Sequence, residues 1–236
     1  PEQVQSMEIG YKSLINNNLM IDFSYYFNIY HDFISQVRIR KASEFTTDQA
    51  LYDANKIDYS YNPLATDGDI NYGSLLNGTA DNTFQIYTNI NDIVTSQGLA
   101  LGLDYSLLKG YSLTGNYSWN VINNVPEGFL SEFNTPEHKF NVGFGNRKLT
   151  DNLGFNVTYR WQSEFWWESS FTISRNGMVP QYGTMDAQIT YKLEDLKSKL
   201  KIGGSNILNK QYIQSLGGPN IGALFYVSLT FDELMN

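Results

Sequence analysis

Gly222-Ala-Leu-Phe-Tyr-Val-Ser-Leu-Thr-Phe231, close to the end of the 236-residue chain, governs how the rest of the sequence reads. Successive side chains of an extended strand point to opposite sides, so Phe225, Val227, Leu229 and Phe231 share one face and Tyr226, Ser228 and Thr230 the other. An apolar face that ends on an aromatic, so near a C-terminus, is how the closing strand of an outer-membrane β-barrel reads, with lipid on one side and a wet lumen on the other. Such a strand pairs with the first strand of its barrel, because an unpaired edge in lipid has no water to satisfy it.

Working back from this strand, the same alternation recurs along most of the chain. Leu19, Ile21, Phe23, Tyr25, Phe27 and Ile29 oppose Asp22, Ser24, Tyr26 and Asn28, and Ile9 and Tyr11 oppose Glu8, Gly10 and Lys12. Strand patterns follow at Phe84–Asn89 and Gly98–Leu107, then at Ser112–Val121, where Leu113, Tyr117, Trp119 and Val121 share a face. Phe140, Val142 and Phe144 alternate with Lys139, Asn141 and Gly143; Phe155, Val157, Tyr159 and Trp161 with Asn156, Thr158, Arg160 and Gln162. Met185, Ala187, Ile189 and Tyr191 alternate with Asp186, Gln188, Thr190 and Lys192, and a further strand is expected at Leu200–Asn206. The charged link Lys192–Lys201 is compatible with a short connecting helix. Asn16-Asn17-Asn18, Lys109-Gly110 and Thr150-Asp151-Asn152 are turn signals, since Asn and Gly accept positive φ.

The connections alternate short and long, as in barrels with short periplasmic turns and longer extracellular loops. The longest, about Ala42 to Thr83, loses all periodicity and reads as a functional extracellular loop. Polar faces of Asn, Thr, Ser, Arg, Asp and Gln are too polar for a packed interior, whereas a soluble sandwich would have loops of similar length at both ends. The expected fold is all-β: an antiparallel transmembrane β-barrel of about nine strands. Tyr105, Tyr111, Trp119, Trp161 and Tyr191, near strand ends, suit interfacial belts. Single-chain bacterial barrels have even strand numbers. An odd count beginning on the long-loop side predicts that Met7–Leu14 and Gly222–Phe231 do not pair with each other, and that the chain is the C-terminal part of something larger.

Composition bounds the function. Aromatics reach 15% and charged residues only 17%, yet the mean hydropathy is −0.35, so apolar atoms must be hidden by alternation rather than in runs. No stretch approaches the roughly 18 apolar residues of a membrane helix. The absence of cysteine excludes disulfides and thiolate metal sites, and a net charge of −8 argues against nucleic acid as a partner. No signal peptide is visible, which fits a mature form or a C-terminal piece.

Several motifs resemble those of TonB-dependent outer-membrane receptors. Pro1-Glu2-Gln3-Val4-Gln5-Ser6-Met7-Glu8-Ile9-Gly10-Tyr11-Lys12 is similar to the family's "PE…S.E.G.K" strand, and Ser96-Gln97-Gly98-Leu99-Ala100-Leu101 to its "S.G.E" strand. Asn134-Thr135-Pro136-Glu137-His138-Lys139 resembles the entry to a later strand, and Asn206-Ile207-Leu208-Asn209-Lys210-Gln211-Tyr212 the near-terminal "N…NK.Y" motif. They occur in family order, with a flavour similar to receptors of Bacteroidetes-type bacteria; Asp232–Asn236 after the terminal aromatic departs from the pattern. The resemblance implies the bacterial outer membrane and a barrel of about twenty-two strands around an N-terminal plug, both the plug and the earlier strands being absent from these residues. It implies import of a scarce nutrient (a siderophore complex, a cobalamin or an oligosaccharide), energised by TonB–ExbB–ExbD through the plug, with a surface lipoprotein as a further partner in some cases. The alternatives are a small autonomous outer-membrane barrel, serving as adhesin or passive pore, and a soluble carbohydrate-binding β-protein.

Three constellations carry possible chemistry. Asp67, Asp69 and Asn71 have the oxygen spacing of a calcium loop but lack its sixth-position Gly and twelfth-position Glu, so an Asx-rich turn competes with a metal site. Trp166, Trp167 and Glu168, together with Arg160, are substrate-facing candidates: the rings can stack on a sugar or chelator, or simply pack at the interface. His31 and Asp32 are adjacent on a strand and face opposite sides, which rules out a dyad, and His138 has no evident partner. Without a nucleophile motif or a thiol, no enzyme and no cofactor are expected.

Overall fold

The computed structural model describes residues 1–40, 83–126, 129–169 and 176–231. In chain order the strands are β1 (Gln3–Ile15), β2 (Leu19–His31), β3 (Phe33–Arg40), β4 (Thr83–Ile90), β5 (Val94–Ser106), β6 (Tyr111–Asn123) and β7 (His138–Asn146). Then follow β8 (Leu153–Gln162), β9 (Phe165–Trp167), β10 (Gly177–Val179), β11 (Tyr182–Leu193), β12 (Ser198–Ser205) and β13 (Leu224–Phe231). Nine of them form one antiparallel sheet in the order β1-β2-β5-β6-β7-β8-β11-β12-β13. The all-β expectation holds. The sheet is open: β1 and β13 are its two edges, with no ladder between them.

Register makes the alternation of each strand continuous across the sheet. Ile9 lies opposite Tyr25, Tyr25 opposite Leu99, Leu99 opposite Trp119. Farther along, Phe144 meets Val157, Val157 meets Ala187, and Ile189, Ile202 and Val227 follow in line. One face is therefore apolar from edge to edge. It is also bare: Ile9 is 63% exposed, Ile189 56% and Val227 70%. A water-soluble monomer does not leave so broad an apolar surface uncovered, and among the described residues no second layer covers this one. A slip of one residue in any strand would turn its apolar set to the other face, so this register is strongly specified.

On the polar face, small residues let long ones lie flat. Tyr26 reaches over Gly98 to donate to Asn120 Oδ1 at 3.0 Å, and Tyr226 reaches over Gly203 to Gln188 Oε1 at 3.0 Å. A Cβ on Gly203 would stand 2.7 Å from the Tyr226 oxygen and 2.8 Å from Gln188 Cβ, so any side chain there would have to push the ring aside.

The turns follow the sequence signals. Asn16 and Asn17 take φ of 49° and 57°, the mirror-type conformation that closes a tight hairpin, and the Asn18 N–H donates to Ile15 O. Two expectations are corrected. Lys192–Lys201 contains no helix: β11 runs to Leu193, and a turn closed by Lys197 N–H to Glu194 O leads directly into β12. The alternation of Leu200 and Ile202 belonged to a strand that begins earlier, at Ser198. The segment at Phe84–Asn89 is a strand, but it pairs with β3 in a separate two-stranded sheet, and β5 is the neighbour of β2. Asp32, at φ 53°, breaks the chain between β2 and β3 and redirects it. A second two-stranded sheet, β9 with β10, was not visible in the sequence because three residues are too few to show a period.

Candidate functional site

The connections between consecutive strands of the large sheet alternate strictly. β1–β2, β5–β6, β7–β8 and β11–β12 are joined by tight turns, while the long connections all emerge at the opposite end of the strands. Buried apolar side chains gather at that long-connection end. Ile90, Val94, Leu130, Phe165 and Val179 are the buried hydrophobics among the described residues, and they lie in or beside the two small sheets and the 124–137 connection. The wall has no core of its own; the loops above it do.

Specific hydrogen bonds lock this rim. The Leu130 N–H donates to Gln36 O, and Ser35 Oγ donates to Leu130 O at 2.6 Å, tying the β3–β4 hairpin to the 124–137 connection. Asn134 clamps Glu168 by both backbone groups: Nδ2 donates to Glu168 O at 2.9 Å and Oδ1 accepts the Glu168 N–H at 2.7 Å. The Glu168 carboxylate accepts from Ser131 Oγ at 2.9 Å and from the Glu132 N–H at 2.8 Å. Three long connections thus form one packed rim.

The family-like motifs do local structural work. Glu2 accepts the Ile34 N–H at 2.7 Å, fastening β1 to the start of β3. Glu137 accepts from the Trp119 indole at 2.9 Å, and His138 Nδ1 shares a 2.8 Å hydrogen bond with the Tyr117 hydroxyl. Asn206, buried, donates to Lys210 O and accepts the Lys210 N–H, while Asn209 Oδ1 accepts the Ala223 N–H; together they fold the segment that leads into β13. Tyr212 stacks on Tyr182 at 4.1 Å between centroids.

The substrate-facing candidates occupy different places. Trp166 stands opposite Met178 on the β9–β10 hairpin, and both are exposed, at 54% and 49%. Trp167 is on the other face of that hairpin, edge-on to the buried Phe165 at 6.5 Å. Glu168 is held by the neighbouring connection, as above. Arg160 is in the large sheet, on its polar face, and forms a 2.6 Å ion pair with Asp186, which also accepts the Asn206 N–H. The structure does not gather the four into one cluster. Asp67, Asp69 and Asn71 lie outside the described residues, as does nearly all of the 42–83 loop; among the described residues no three acidic or histidine side chains converge to hold a metal.

Arg160 belongs to a row at one height of the polar face. Lys12, Asp22, Gly102, Asn116, Asn141, Arg160 and Thr184 stand opposite one another from β1 to β11. Lys12 pairs with Asp22 at 3.1 Å, and Asn141 Nδ2 donates to Asn116 Oδ1 at 2.8 Å. Sequence reading placed these residues, Thr184 apart, on the polar face strand by strand; which of them meet depended on register.

One face for lipid, one face for water and a rim of long connections define a segment of the wall of an outer-membrane β-barrel. A family model described as "TonB dependent receptor-like, beta-barrel" matches residues 1–209. The chain belongs to that family, whose members are outer-membrane proteins. No curated protein sequence matches it. Among solved structures, the copper transporter OprC superposes with a TM-score of 0.64 at 15% identity, over 98% of this chain and 31% of its own. The closed form of the ferric-catecholate import receptor Fiu from E. coli K12 gives 0.62 at 11% identity, over 98% of this chain and 28% of its own. The FrpB iron transporter from Neisseria meningitidis gives 0.61 at 12%, over 98% and 31%. At such identities the likeness speaks for the fold, and this chain spans less than a third of each of these structures.

Proposed function

We propose that this chain is the C-terminal part of the barrel of a TonB-dependent active transporter, which imports a scarce nutrient across the outer membrane. The observation that carries the reading is the two-faced sheet beneath a packed rim: apolar outside, hydrogen-bonding inside, and crowned at one end by interlocked long connections. In this reading the long connections, including the 42–83 loop, are extracellular and take part in substrate capture, with Trp166 and Met178 offering an apolar contact. The remaining strands of a barrel of about twenty-two, and an interior plug, belong to the rest of the receptor. The edges of β1 and β13, unpaired among the described residues, support this, since each open backbone group in lipid costs several kcal/mol. The energy comes from TonB–ExbB–ExbD acting through the plug.

The similar structures are a copper transporter, a ferric-catecholate import receptor and an iron transporter, which favours a metal or a metal chelate as cargo; a cobalamin or an oligosaccharide, with or without a surface lipoprotein, fits the same architecture. The experiment is uptake of labelled iron–siderophore, copper, cobalamin and oligosaccharide by cells carrying or lacking the intact receptor, each with and without TonB. Uptake of one class should require both receptor and TonB. Receptor-dependent uptake that persists undiminished without TonB would refute active transport and favour a passive pore.

A further inference from the structure

A hollow of about 520 Å³ opens on the polar face near the tight-turn end, across β6, β7, β8, β11 and β12. Its floor is shaped by residues without side chains: Gly145 stands opposite Ser112 and Asn156, and Gly154 opposite Thr190. Around it stand Arg147, Lys199 and Lys201, and among the described residues no acidic side chain lines it. The chain as a whole carries −8, so this is a local reversal of sign. Among the described residues no carboxylate pairs with Arg147 or Lys201, whereas Lys12, Arg160 and Lys192 each have one.

Three amides line the hollow: Asn146 is fully engaged, its Nδ2 donating to Lys109 O and its Oδ1 accepting the Lys148 N–H, while Asn156 and Gln188 have their oxygens engaged. Tyr226 donates to Gln188 Oε1 at 3.0 Å, and Thr158 Oγ1 donates to Asn156 Oδ1 at 3.1 Å. Among the described residues no acceptor takes the NH2 group of Asn156 or Gln188, so both are left to offer. The position a Cβ would take on Gly145 is 3.0 Å from Asn156 Nδ2, which places that donor over the bare floor. Ammonium and guanidinium groups are donors only. Cations, oriented amide donors and a missing side chain at the floor make a site for a group rich in acceptors and negative charge.

We propose that this hollow binds an oxyanion: a carboxylate or phosphate-type group, either free in the lumen or carried on another segment of the receptor. Its chemistry is independent of the transport reading; only its position on the inner wall rests on that reading.

Selenate is the probe, used with the purified full-length receptor in detergent. Calorimetric titration should show binding that weakens at least tenfold in the Arg147→Gln/Lys201→Gln double variant, and not in Lys12→Gln, which lies on the same face outside the hollow. Crystals of the wild-type receptor soaked in selenate should show its anomalous peak between Arg147, Lys201 and Asn156. If selenate does not bind but a carboxylate of the receptor's own chain sits on Arg147 and Lys201, the site stands and its source is the polypeptide. Equal selenate affinity in wild type and double variant, or a hollow holding neither anion nor carboxylate, overturns the proposal. The same crystals report the transport reading separately: an anion bound on an outward-facing wall would refute the barrel orientation while leaving the site intact.

Discussion

Arginine at position 157 should be far more damaging than arginine at its neighbour, 158. Val157 is near the middle of β8, with Phe144 and Ala187 opposite it on the apolar face. It is four residues from Leu153 and five from Gln162. At about 3.3 Å per residue along the strand, that is roughly 13 and 16 Å. A tilt of about 40° reduces these to roughly 10 and 13 Å of depth, which puts Val157 close to the centre of an apolar band about 25 Å tall. Arginine at such a midplane position costs about 2–4 kcal/mol, or roughly 30- to 900-fold in the folding equilibrium. Thr158 lies on the polar face, opposite Gly143 and the carboxylate-bearing Asp186. An arginine there stays in water beside an anion, so Thr158→Arg should cost less than about 1 kcal/mol. The assay is reversible urea unfolding of the full-length receptor in lipid vesicles, with the two variants measured side by side. Equal losses, or a larger loss at 158, would refute the assignment of the faces.

Other perturbations test the rim and the packing. Asn134→Ala removes both clamps on the Glu168 backbone and should speed amide exchange at Glu168 and Glu132 while the strands of the large sheet stay protected; unchanged exchange would show that the rim is held otherwise. Gly98→Val places side-chain atoms against Tyr26 and within 2.6 Å of Asn120 Oδ1, and should destabilise by about 1–3 kcal/mol in the same urea assay. Trp166→Ala should weaken substrate binding at least several-fold and leave assembly into vesicles unchanged; undiminished binding would remove Trp166 from the capture surface. Deletion of residues 43–82 should impair uptake without loss of assembled receptor, and normal uptake would exclude that loop from capture.

The strands of the large sheet were legible because each half-apolar strand carries its own period of two over eight or more residues, as Leu19 to Ile29 shows most clearly. The connection pattern was legible because Asn16, Asn17 and Lys109-Gly110 announce tight turns through backbone conformations that few residues accept. What could not be read is whatever depends on register or on contacts between loops. Asn134 and Glu168 are 34 residues apart, and nothing local in either says that one clamps the other. Trp166 and Trp167 read alike as substrate-facing rings, but a strand sends neighbours to opposite faces, so Trp166 is exposed while Trp167 packs on Phe165. The cationic hollow was equally hidden. Arg147, Asn156, Gln188 and Lys201 come from separate turns and strands, and the signal that unites them is their position on one face of neighbouring strands.

The central claim is that the apolar face of this sheet meets lipid and the polar face meets water. Because the chain has no cysteine, a spin label can be placed at single positions from Thr184 to Tyr191 within it, in the full-length receptor with any cysteine elsewhere replaced. Power-saturation measurements in vesicles then report contact with oxygen, which dissolves in lipid, and with a nickel chelate, which stays in water. Met185, Ala187 and Ile189 should favour oxygen and Asp186, Gln188 and Thr190 the chelate, alternating residue by residue. A flat profile, or the same alternation with the faces exchanged, would contradict the account.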